Sequence, residues 1–226
     1  MSKSYYRVGV AGVGGRGLGL ARYAARLSQA LVVAVADLNA ARLDAAREAL
    51  GDDLACYDHH QAMLQHANLD VLIVGTLGRD HLAPTVDGAR AGVQGIYVEK
   101  PMETSLAKCD AMIAACRASG TKLSVGHQRR WWPEYRALRD AVRQGAIGRL
   151  THGYVYWSTG RVGSMGTHLF DALNLVVDDQ VAWVSARLDP ASRPEPQWPD
   201  ILDPGAMGSI VYRNGVRIAV DVMDDV

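Results

Sequence analysis

The 226-residue sequence has no charge excess, no long apolar run and no apolar signal segment at its start. Its 24 basic residues balance 24 acidic ones, so no strong field is available to attract nucleic acid or an anionic membrane. No apolar run approaches the roughly 20 residues that a membrane-spanning helix needs. We therefore expect a cytoplasmic protein with neither nucleic-acid nor membrane partners.

Cysteine is scarce, and its spacing matches neither a metal site nor a disulfide framework. The three cysteines have no metal-ligand spacing, and their odd number argues against a set of disulfides. The histidines at positions 59, 60 and 66 form no ligand pattern with cysteines or carboxylates, so we predict no catalytic metal. What the composition does provide is 49% hydrophobic and 21% charged residues, which suffices for a packed core in one large domain or two modest ones.

Residues 1–126 alternate short apolar strands with helical patterns. Strands are predicted at 7–11, 31–36, 70–75, 95–98 and 122–125, and helices at 17–27, 40–50, 81–91 and 105–118. Strands that are apolar throughout are typical of parallel sheets covered on both faces. The pattern therefore predicts an α/β Rossmann domain with a doubly wound parallel sheet.

The pattern changes after Gly126, and residues 127–226 are predicted to form a smaller α+β domain. Helices are predicted at 134–144 and 168–177, and strands at 150–157, 181–188, 207–212 and 216–222. The last two strands are joined around Asn214-Gly215, which is a strong hairpin signal and favours an antiparallel sheet. Residues 189–204 hold five of the eight prolines and are predicted to be a loop.

A glycine-rich turn follows the first predicted strand. Gly12, Gly14 and Gly17 have the GxGxxG spacing between a strand and a helix. Gly12 allows the tight turn, Gly14 lets the backbone approach a pyrophosphate, and Gly17 lets the helix pack closely on the sheet. The start of the helix, with Gly15 and Arg16, offers unpaired N–H groups to phosphates. Arg16 could contact the pyrophosphate or be a solvated helix residue.

Asp37 lies twenty positions after Gly17, at the end of the second predicted strand. A carboxylate at this position of a Rossmann fold accepts hydrogen bonds from the ribose hydroxyls of the dinucleotide. The same carboxylate would repel a 2′-phosphate, so NAD is favoured over NADP. The alternative is that Asp37 only caps the following helix.

Glu99-Lys100-Pro101 follows the predicted strand 95–98, at the carboxyl edge of the sheet. Ligands of open α/β sheets bind at that edge. The Lys100 ammonium can donate to a substrate hydroxyl and stabilise a developing alkoxide, although an exposed loop lysine is the alternative. The bond before Pro101 can be cis, because X–Pro bonds are those that adopt this form.

His168 opens a predicted helix and has Asp171 one turn later on the same face. A neutral imidazole can take the proton of a hydroxyl whose carbon gives up hydride, and Asp171 could orient or support it. The alternative is an ordinary helix start with Thr167 or His168 as cap. Arg129 follows the last parallel strand and could either line a substrate cleft or lie in a domain seam.

Together these residues resemble the Gfo/Idh/MocA oxidoreductase family of glucose-fructose oxidoreductase, inositol dehydrogenase and rhizopine-catabolism relatives. The matching segments, in chain order, are the glycine loop 11–17, Asp37, Val74-Gly75-Thr76 with His81, Glu99-Lys100-Pro101, residues 125–130, residues 146–148 and Gly166-Thr167-His168 with Asp171.

This resemblance implies a site in which Thr76, His81 and Glu99 join the glycine loop and Asp37 in binding NAD. It also implies that Lys100 and His168 flank the substrate beside the nicotinamide, with His168 as proton acceptor. The second domain of such proteins has an open, mainly antiparallel sheet that commonly forms the interface of a homo-oligomer.

Two features depart from the family. Many of its dehydrogenases carry Asp four residues before the catalytic His, where this sequence has Ser164, and a neutral Ser cannot stabilise an imidazolium as a carboxylate does. Family members are also usually longer, and this sequence stops after a strand. We therefore expect an incomplete second sheet with an exposed edge, in a chain that is a fragment or that a partner covers.

The leading hypothesis is an NAD-dependent dehydrogenase that acts on a secondary alcohol of a sugar or cyclitol. His168 would handle the hydroxyl proton while Lys100 polarises the oxygen. Two alternatives share the same first domain. One is a non-catalytic NAD-binding module for sensing or assembly, and the other is a glycosidase of the same family that oxidises and re-reduces a tightly held NAD.

Overall fold

A computed structural model describes residues 5–157, 160–190, 194–195 and 198–223. The chain divides into two units, Met1–Gly126 and His127–Val226, and each is described in turn. Among the described residues of the first unit, strands β1 to β6 form one parallel sheet. In chain order they are β1 (Tyr6–Ala11), β2 (Ala30–Ala36), β3 (Ala55–Tyr57), β4 (Val71–Val74), β5 (Gly95–Val98) and β6 (Lys122–Val125).

The strand order β3-β2-β1-β4-β5-β6 confirms the predicted doubly wound Rossmann sheet. The chain first adds β2 and β3 on one side of β1 and then adds β4, β5 and β6 on its other side, so the strand order reverses between β1 and β4. Ligands of such sheets bind outside the carboxyl ends of the strands at this reversal. The loops after β1, β2, β4 and β5 all lie at that edge, and they contain the glycine loop, Asp37, Thr76 and Lys100.

Helices cover both faces of this sheet. Helices α1 (Gly15–Ala24) and α2 (Ala40–Leu50) lie on one face, and α3 (His60–His66), α4 (Leu82–Arg90) and α5 (Leu106–Ser119) lie on the other. This division follows from the alternation of strand side chains, because successive residues point to opposite faces.

The two cores of the first unit are made by small and branched side chains. On the face of α1 and α2, Val10 and Val35 are fully buried with Ala46. On the other face, Leu72 packs with Met112. Full burial of a Val, Leu or Met side chain contributes roughly 1.5–3 kcal/mol each.

The sequence did not predict β3 or α3. Strand β3 has three residues and α3 has seven, and both are shorter than the windows over which hydrophobic periodicity becomes visible. They form because β3 adds to the edge of β2 and because Met63 of α3 is fully buried in the core. Tertiary contacts therefore decide these two elements.

Within its described residues, the second unit contains two α-helices, a four-stranded mixed sheet and a separate two-stranded sheet. Its elements are α6 (Pro133–Arg143), β7 (His152–Tyr156), α7 (Thr167–Val177), β8 (Val181–Leu188), β9 (Pro194–Glu195), β10 (Trp198–Leu202), β11 (Ala206–Tyr212) and β12 (Arg217–Asp221). The larger sheet has the order β7-β12-β11-β8. Strand β11 is antiparallel to both β8 and β12, which confirms the mainly antiparallel sheet and its hairpin, while β12 and β7 are parallel.

The prediction of a loop over residues 189–204 is wrong in part, because β9 and β10 form a small antiparallel pair there. The pairs in register are Trp198 with Glu195 and Leu202 with Pro194, and no pair involves Pro199. A proline lacks an N–H but is tolerated at the first position of a strand and at unpaired positions. The prolines therefore limit this ladder without preventing it.

Helix α7 covers one face of the larger sheet. Its Leu169, Phe170 and Leu173 pack against buried strand residues such as Val155 and Ile210. Tyr212 is also buried on this face, and its hydroxyl donates a hydrogen bond of 2.9 Å to Asn174 Oδ1 of α7.

The opposite face of the sheet, called the outer face below, carries large exposed side chains. Tyr154, Tyr156, Trp183 and Met207 alternate with the residues that face α7, and each is more than half exposed. Strand β8 forms one edge of the sheet, and all eight of its residues are exposed. Within the described residues, no helix is long and apolar enough to cross a membrane.

Candidate functional site

The glycine loop joins β1 to α1 and packs tightly against the end of β4. Gly12 has a φ of +82°, and a Cβ on it would lie 2.6 Å from the backbone nitrogen of Thr76. A Cβ on Gly17 would overlap the carbonyl oxygen of Gly12. Both positions therefore require glycine, one for its backbone conformation and both for space.

The other side of the glycine loop is open. A Cβ on Gly15 would meet no atom within 4 Å, and the N-cap residue of α1, Gly14, has no side chain to cap the helix. The first N–H groups of a helix lack partners within it, and the positive end of its dipole favours an anion. This loop fits a dinucleotide pyrophosphate.

The carboxylate of Asp37 is tied to this loop. Its Oδ2 accepts a hydrogen bond of 2.9 Å from Val13 N, and its Oδ1 accepts one of 2.9 Å from Asn39 N. The alternative that Asp37 caps α2 is wrong, because Asn39 is the cap and accepts from Ala41 N at 3.0 Å. The acid is thus held beside the glycine loop, at the end of β2.

Arg16 makes an ion pair that sequence reasoning did not predict. Its Nε donates to Oε1 of Glu99 at 3.0 Å, and the Glu99 side chain is almost completely buried. Oε1 also accepts from the Tyr97 hydroxyl at 3.3 Å, while Oε2 accepts from Lys100 N at 3.2 Å. The glycine loop is thereby joined to the segment that carries Lys100.

The Glu99 carboxylate also affects the pKa of the Tyr97 hydroxyl. Burial and the negative charge of Glu99 raise the pKa of Tyr97 to about 12, because both oppose formation of a phenolate. Gly126 is adjacent, and a Cβ on it would lie 2.5 Å from the Tyr97 hydroxyl and 3.0 Å from Oε1 of Glu99. The absence of a side chain at Gly126 leaves room for this pair.

His81 is fully buried and connects two loops of the same edge. Its Nε2 lies 3.0 Å from the carbonyl oxygen of Thr76, and its Nδ1 lies 3.0 Å and 3.1 Å from those of Pro101 and Met102. The ring therefore contacts backbone rather than offering a surface to a nucleotide. Its position holds the turn after β4 against the segment after Lys100.

Thr76 and Lys100 lie on the two loops that His81 connects. The Thr76 hydroxyl donates to the carbonyl oxygen of Asp80 at 3.2 Å. Lys100 is partly buried, and the Lys100–Pro101 peptide bond is cis, the form that sequence analysis had considered.

In the second unit, His168 lies one turn inside a continuous helix. A π-helical turn, Val162–Gly166, continues directly into α7. The alternative prediction that Thr167 or His168 caps the start of the helix is therefore wrong. The His168 residue is 4% exposed, and its ring meets the ring of His127 edge to face with centroids 5.7 Å apart.

Asp171 and Arg129 have partners that sequence analysis did not predict. Oδ2 of Asp171 lies 3.2 Å from Nε of Arg130. The guanidinium carbon of Arg129 lies 6.0 Å from the centre of the Trp132 ring, which is the range of a cation–π contact. Both residues therefore have charged or aromatic partners within the second unit.

Asp203 is a buried acid that sequence reasoning missed. Its Oδ1 accepts a hydrogen bond of 2.6 Å from Gly163 N, and its Oδ2 accepts one of 2.8 Å from Ser164 N. The resemblance leads one to expect an Asp at position 164, where the sequence has Ser. The Asp203 carboxylate instead binds the backbone of the turn at this position. Asp203 lies in the proline-rich segment, 39 residues from Ser164, and no local pattern connects the two.

No group of three or more His, Cys, Asp or Glu side chains that could hold a metal ion occurs in the part of the chain that the structure describes.

Comparisons with known proteins agree with this architecture. Residues 6–127 match the GFO_IDH_MocA model, described as an oxidoreductase family with an NAD-binding Rossmann fold. Over 117 residues the chain is 38% identical to D-apiose dehydrogenase from Paraburkholderia graminis, which is 52% of this chain and 31% of that protein. Over 193 residues it is 28% identical to myo-inositol 2-dehydrogenase from Thermotoga maritima, which is 80% of this chain and 57% of that protein.

Solved structures show the same fold. Scyllo-inositol dehydrogenase from Lactobacillus casei, with bound NAD(H) and scyllo-inositol, matches with a TM-score of 0.78 and 19% identity over 98% of this chain and 70% of that chain. The chain spans 31% to 57% of the length of the two relatives above. Because the family model covers more than half of it, the chain belongs to the Gfo/Idh/MocA oxidoreductases, a family with an NAD-binding Rossmann fold.

Proposed function

We propose that the chain belongs to an NAD-dependent dehydrogenase that transfers hydride between nicotinamide and a secondary alcohol of a sugar or cyclitol. The observation that carries this proposal is the ion pair between Arg16 and Glu99, 3.0 Å long. It joins a loop fitted to a pyrophosphate to the segment that bears Lys100. The relatives named for activity on apiose and inositol support a polyol or sugar substrate.

The cofactor is held by the glycine loop and Asp37. The amides around Gly14 and Gly15 receive the pyrophosphate, and the Asp37 carboxylate accepts from the ribose hydroxyls, which favours NAD. When bound, the nicotinamide ring exchanges hydride with the substrate carbon. His81 and Glu99 act through the backbone and Arg16, so we assign them to positioning the site rather than to direct contact.

Lys100 and His168 are assigned the chemical roles. The Lys100 ammonium donates to the reacting oxygen and stabilises negative charge as it develops there. The His168 imidazole takes the hydroxyl proton during oxidation and returns it during reduction. Asp203 is a positioning residue, because its carboxylate fixes the backbone of the turn that leads into the His168 helix.

Substitution of Lys100 tests this assignment. Lys100→Met is expected to lower NADH formation on a panel of inositols and aldoses by roughly a hundredfold or more, because removing one such donor costs that much. Calorimetry should show that NAD still binds. The matched control is Lys122→Met, since Lys122 is an exposed lysine on β6 of the same unit. Unchanged turnover in Lys100→Met would remove Lys100 from the mechanism.

NAD binding without turnover on the whole panel would instead favour the non-catalytic module. Release of a sugar leaving group without net NADH would favour the glycosidase.

We also propose that the outer face forms the contact between copies of the chain. Four large, exposed side chains lie on it: Tyr154, Tyr156, Trp183 and Met207. Exposed apolar patches of this kind mark interaction sites, and the commonest closed assemblies pair identical surfaces about a twofold axis.

A further inference from the structure

We infer that Arg42 lets the adenosine end of the dinucleotide site accept a 2′-phosphate, so that the chain binds NADP as well as NAD. The inference rests on the proposed dinucleotide site and deepens it by assigning a residue that sets cofactor choice. Asp37 taken by itself favours NAD, whereas Arg42 extends the expected cofactors to NADP.

The Arg42 guanidinium lies close to both Asp37 and the glycine loop. Arg42 lies in the first turn of α2, and its Nη1 is 3.6 Å from Oδ1 of Asp37. A Cβ on Gly14 would lie 3.7 Å from both Cζ and Nη1 of Arg42. The guanidinium therefore stands between the loop that fits the pyrophosphate and the acid assigned to the adenosine ribose.

The Arg42 guanidinium and the Asp37 carboxylate differ in their exposure to solvent. The Asp37 side chain is 6% exposed, and its two oxygens already accept N–H groups from Val13 and Asn39. The Arg42 side chain is 55% exposed. A phosphate that approaches from solvent therefore meets the cation more readily than the anion, and the repulsion by Asp37 is offset.

The contact between Arg42 and Asp37 is also a loose one. At 3.6 Å it is longer than the 2.7–2.9 Å that is typical of a charge-assisted hydrogen bond. Arg42 can therefore turn towards a ligand without breaking a tight ion pair. Its planar group of five N–H donors matches the oxygens of a phosphate, which a lysine would bind only as a point charge.

Nucleotide binding measured by calorimetry tests this inference without requiring turnover. The probes are NAD, NADP and 2′,5′-ADP, the last carrying the 2′-phosphate without nicotinamide. The matched control is Arg47→Ala, because Arg47 is exposed on the same helix and pairs with Asp44 at 3.3 Å, not with Asp37. Melting temperatures of all variants check that the fold is intact.

In the unmodified chain we expect the dissociation constant of NADP to lie within about tenfold of that of NAD. Arg42→Ala is expected to weaken NADP and 2′,5′-ADP by about tenfold or more, the usual effect of a hydrogen bond to a charged group, and NAD by less than about threefold. Arg47→Ala should change none of the three.

Two results would overturn the inference while leaving the proposed function standing. One is NAD binding with no measurable NADP binding in the unmodified chain. The other is an equal loss of NAD and NADP affinity in Arg42→Ala. If the folded chain binds neither dinucleotide, the inference and the proposed function fail together.

Discussion

Nε of Arg16 lies 3.0 Å from Oε1 of Glu99, and this contact ties the first loop of the Rossmann sheet to the loop after β5. The two residues are 83 positions apart in the sequence. Glu99 is nearly buried, whereas the Arg16 side chain is half exposed, so the pair anchors an exposed cation to a fixed anion. Because Lys100 follows Glu99 directly and its N–H donates to Oε2 of Glu99, the ion pair connects the glycine loop to the segment that carries Lys100.

The Tyr97 hydroxyl makes the stability of the folded chain depend on pH. Its pKa is about 12 in the folded protein, raised by burial and by Glu99, and near 10.0 when the chain is unfolded. A raised pKa contributes stability that is fully present below pH 10 and is lost as the pH rises towards 12. We expect Tyr97→Phe to lose less stability than the unmodified chain between these pH values in urea titrations.

Glu99→Gln separates the two causes of this shift. Removing the carboxylate charge should lower the pKa of Tyr97, while burial should still hold it above its usual value. Difference absorbance of tyrosinate, with Tyr97→Phe as the reference, measures this pKa. An unchanged Tyr97 pKa in Glu99→Gln would mean that the charge of Glu99 does not act on this hydroxyl.

His81→Leu is expected to lower the free energy of unfolding by about 3 kcal/mol. The substitution removes a buried ring that contacts the carbonyl oxygens of Thr76, Pro101 and Met102, and buried groups left without a partner cost roughly 1–3 kcal/mol each. Urea denaturation measures the change. His66→Leu, at an exposed position on α3, is the control, and an equal effect in both would contradict the role of His81.

Asp203→Ala is expected to lower turnover and to destabilise the chain by about 1–3 kcal/mol, because it removes the acceptor for two backbone N–H groups. NAD affinity should not change, since the glycine loop belongs to the other unit. Asp203→Asn keeps one oxygen acceptor and should restore part of both properties.

The pH dependence of turnover distinguishes positioning from a purely structural role of Asp203. If the turn positions His168 through Asp203, the acidic limb of the profile should move in Asp203→Asn. The matched control is Asp140→Ala, a half-exposed acid paired with Arg139 on α6. A profile that stays in place while stability falls would limit Asp203 to supporting the fold.

Trp183→Arg tests the proposed contact between copies. Trp183 is 52% exposed on the outer face, and a charge placed there should oppose the approach of a second copy. Light scattering should show a smaller mass for this variant than for the unmodified chain. Tyr23→Arg on α1 is the control, and a monomeric unmodified chain would reject the proposal.

Local patterns in the sequence were enough to predict the glycine loop, Asp37 and the segment around Lys100. These features depend on short spacings and on the ends of apolar strands, which a single sequence displays directly. The short elements β3 and α3 were missed because three and seven residues are too few for a periodic signal. The pair β9 and β10 was missed because prolines normally indicate a loop.

The sequence by itself determined the Rossmann architecture and the loop that fits a pyrophosphate, because strand apolarity and glycine spacing are encoded between near neighbours. Only the tertiary structure decided that Arg16 pairs with Glu99, that His81 connects two loops, that Arg42 stands beside Asp37 and that Asp203 binds the turn before His168. For three of these contacts the partners lie about 20 to 83 residues apart, and for Arg42 the deciding fact is the direction of a side chain. A chain brings such groups together only when its strands have taken their order in the sheet, so no local pattern records them.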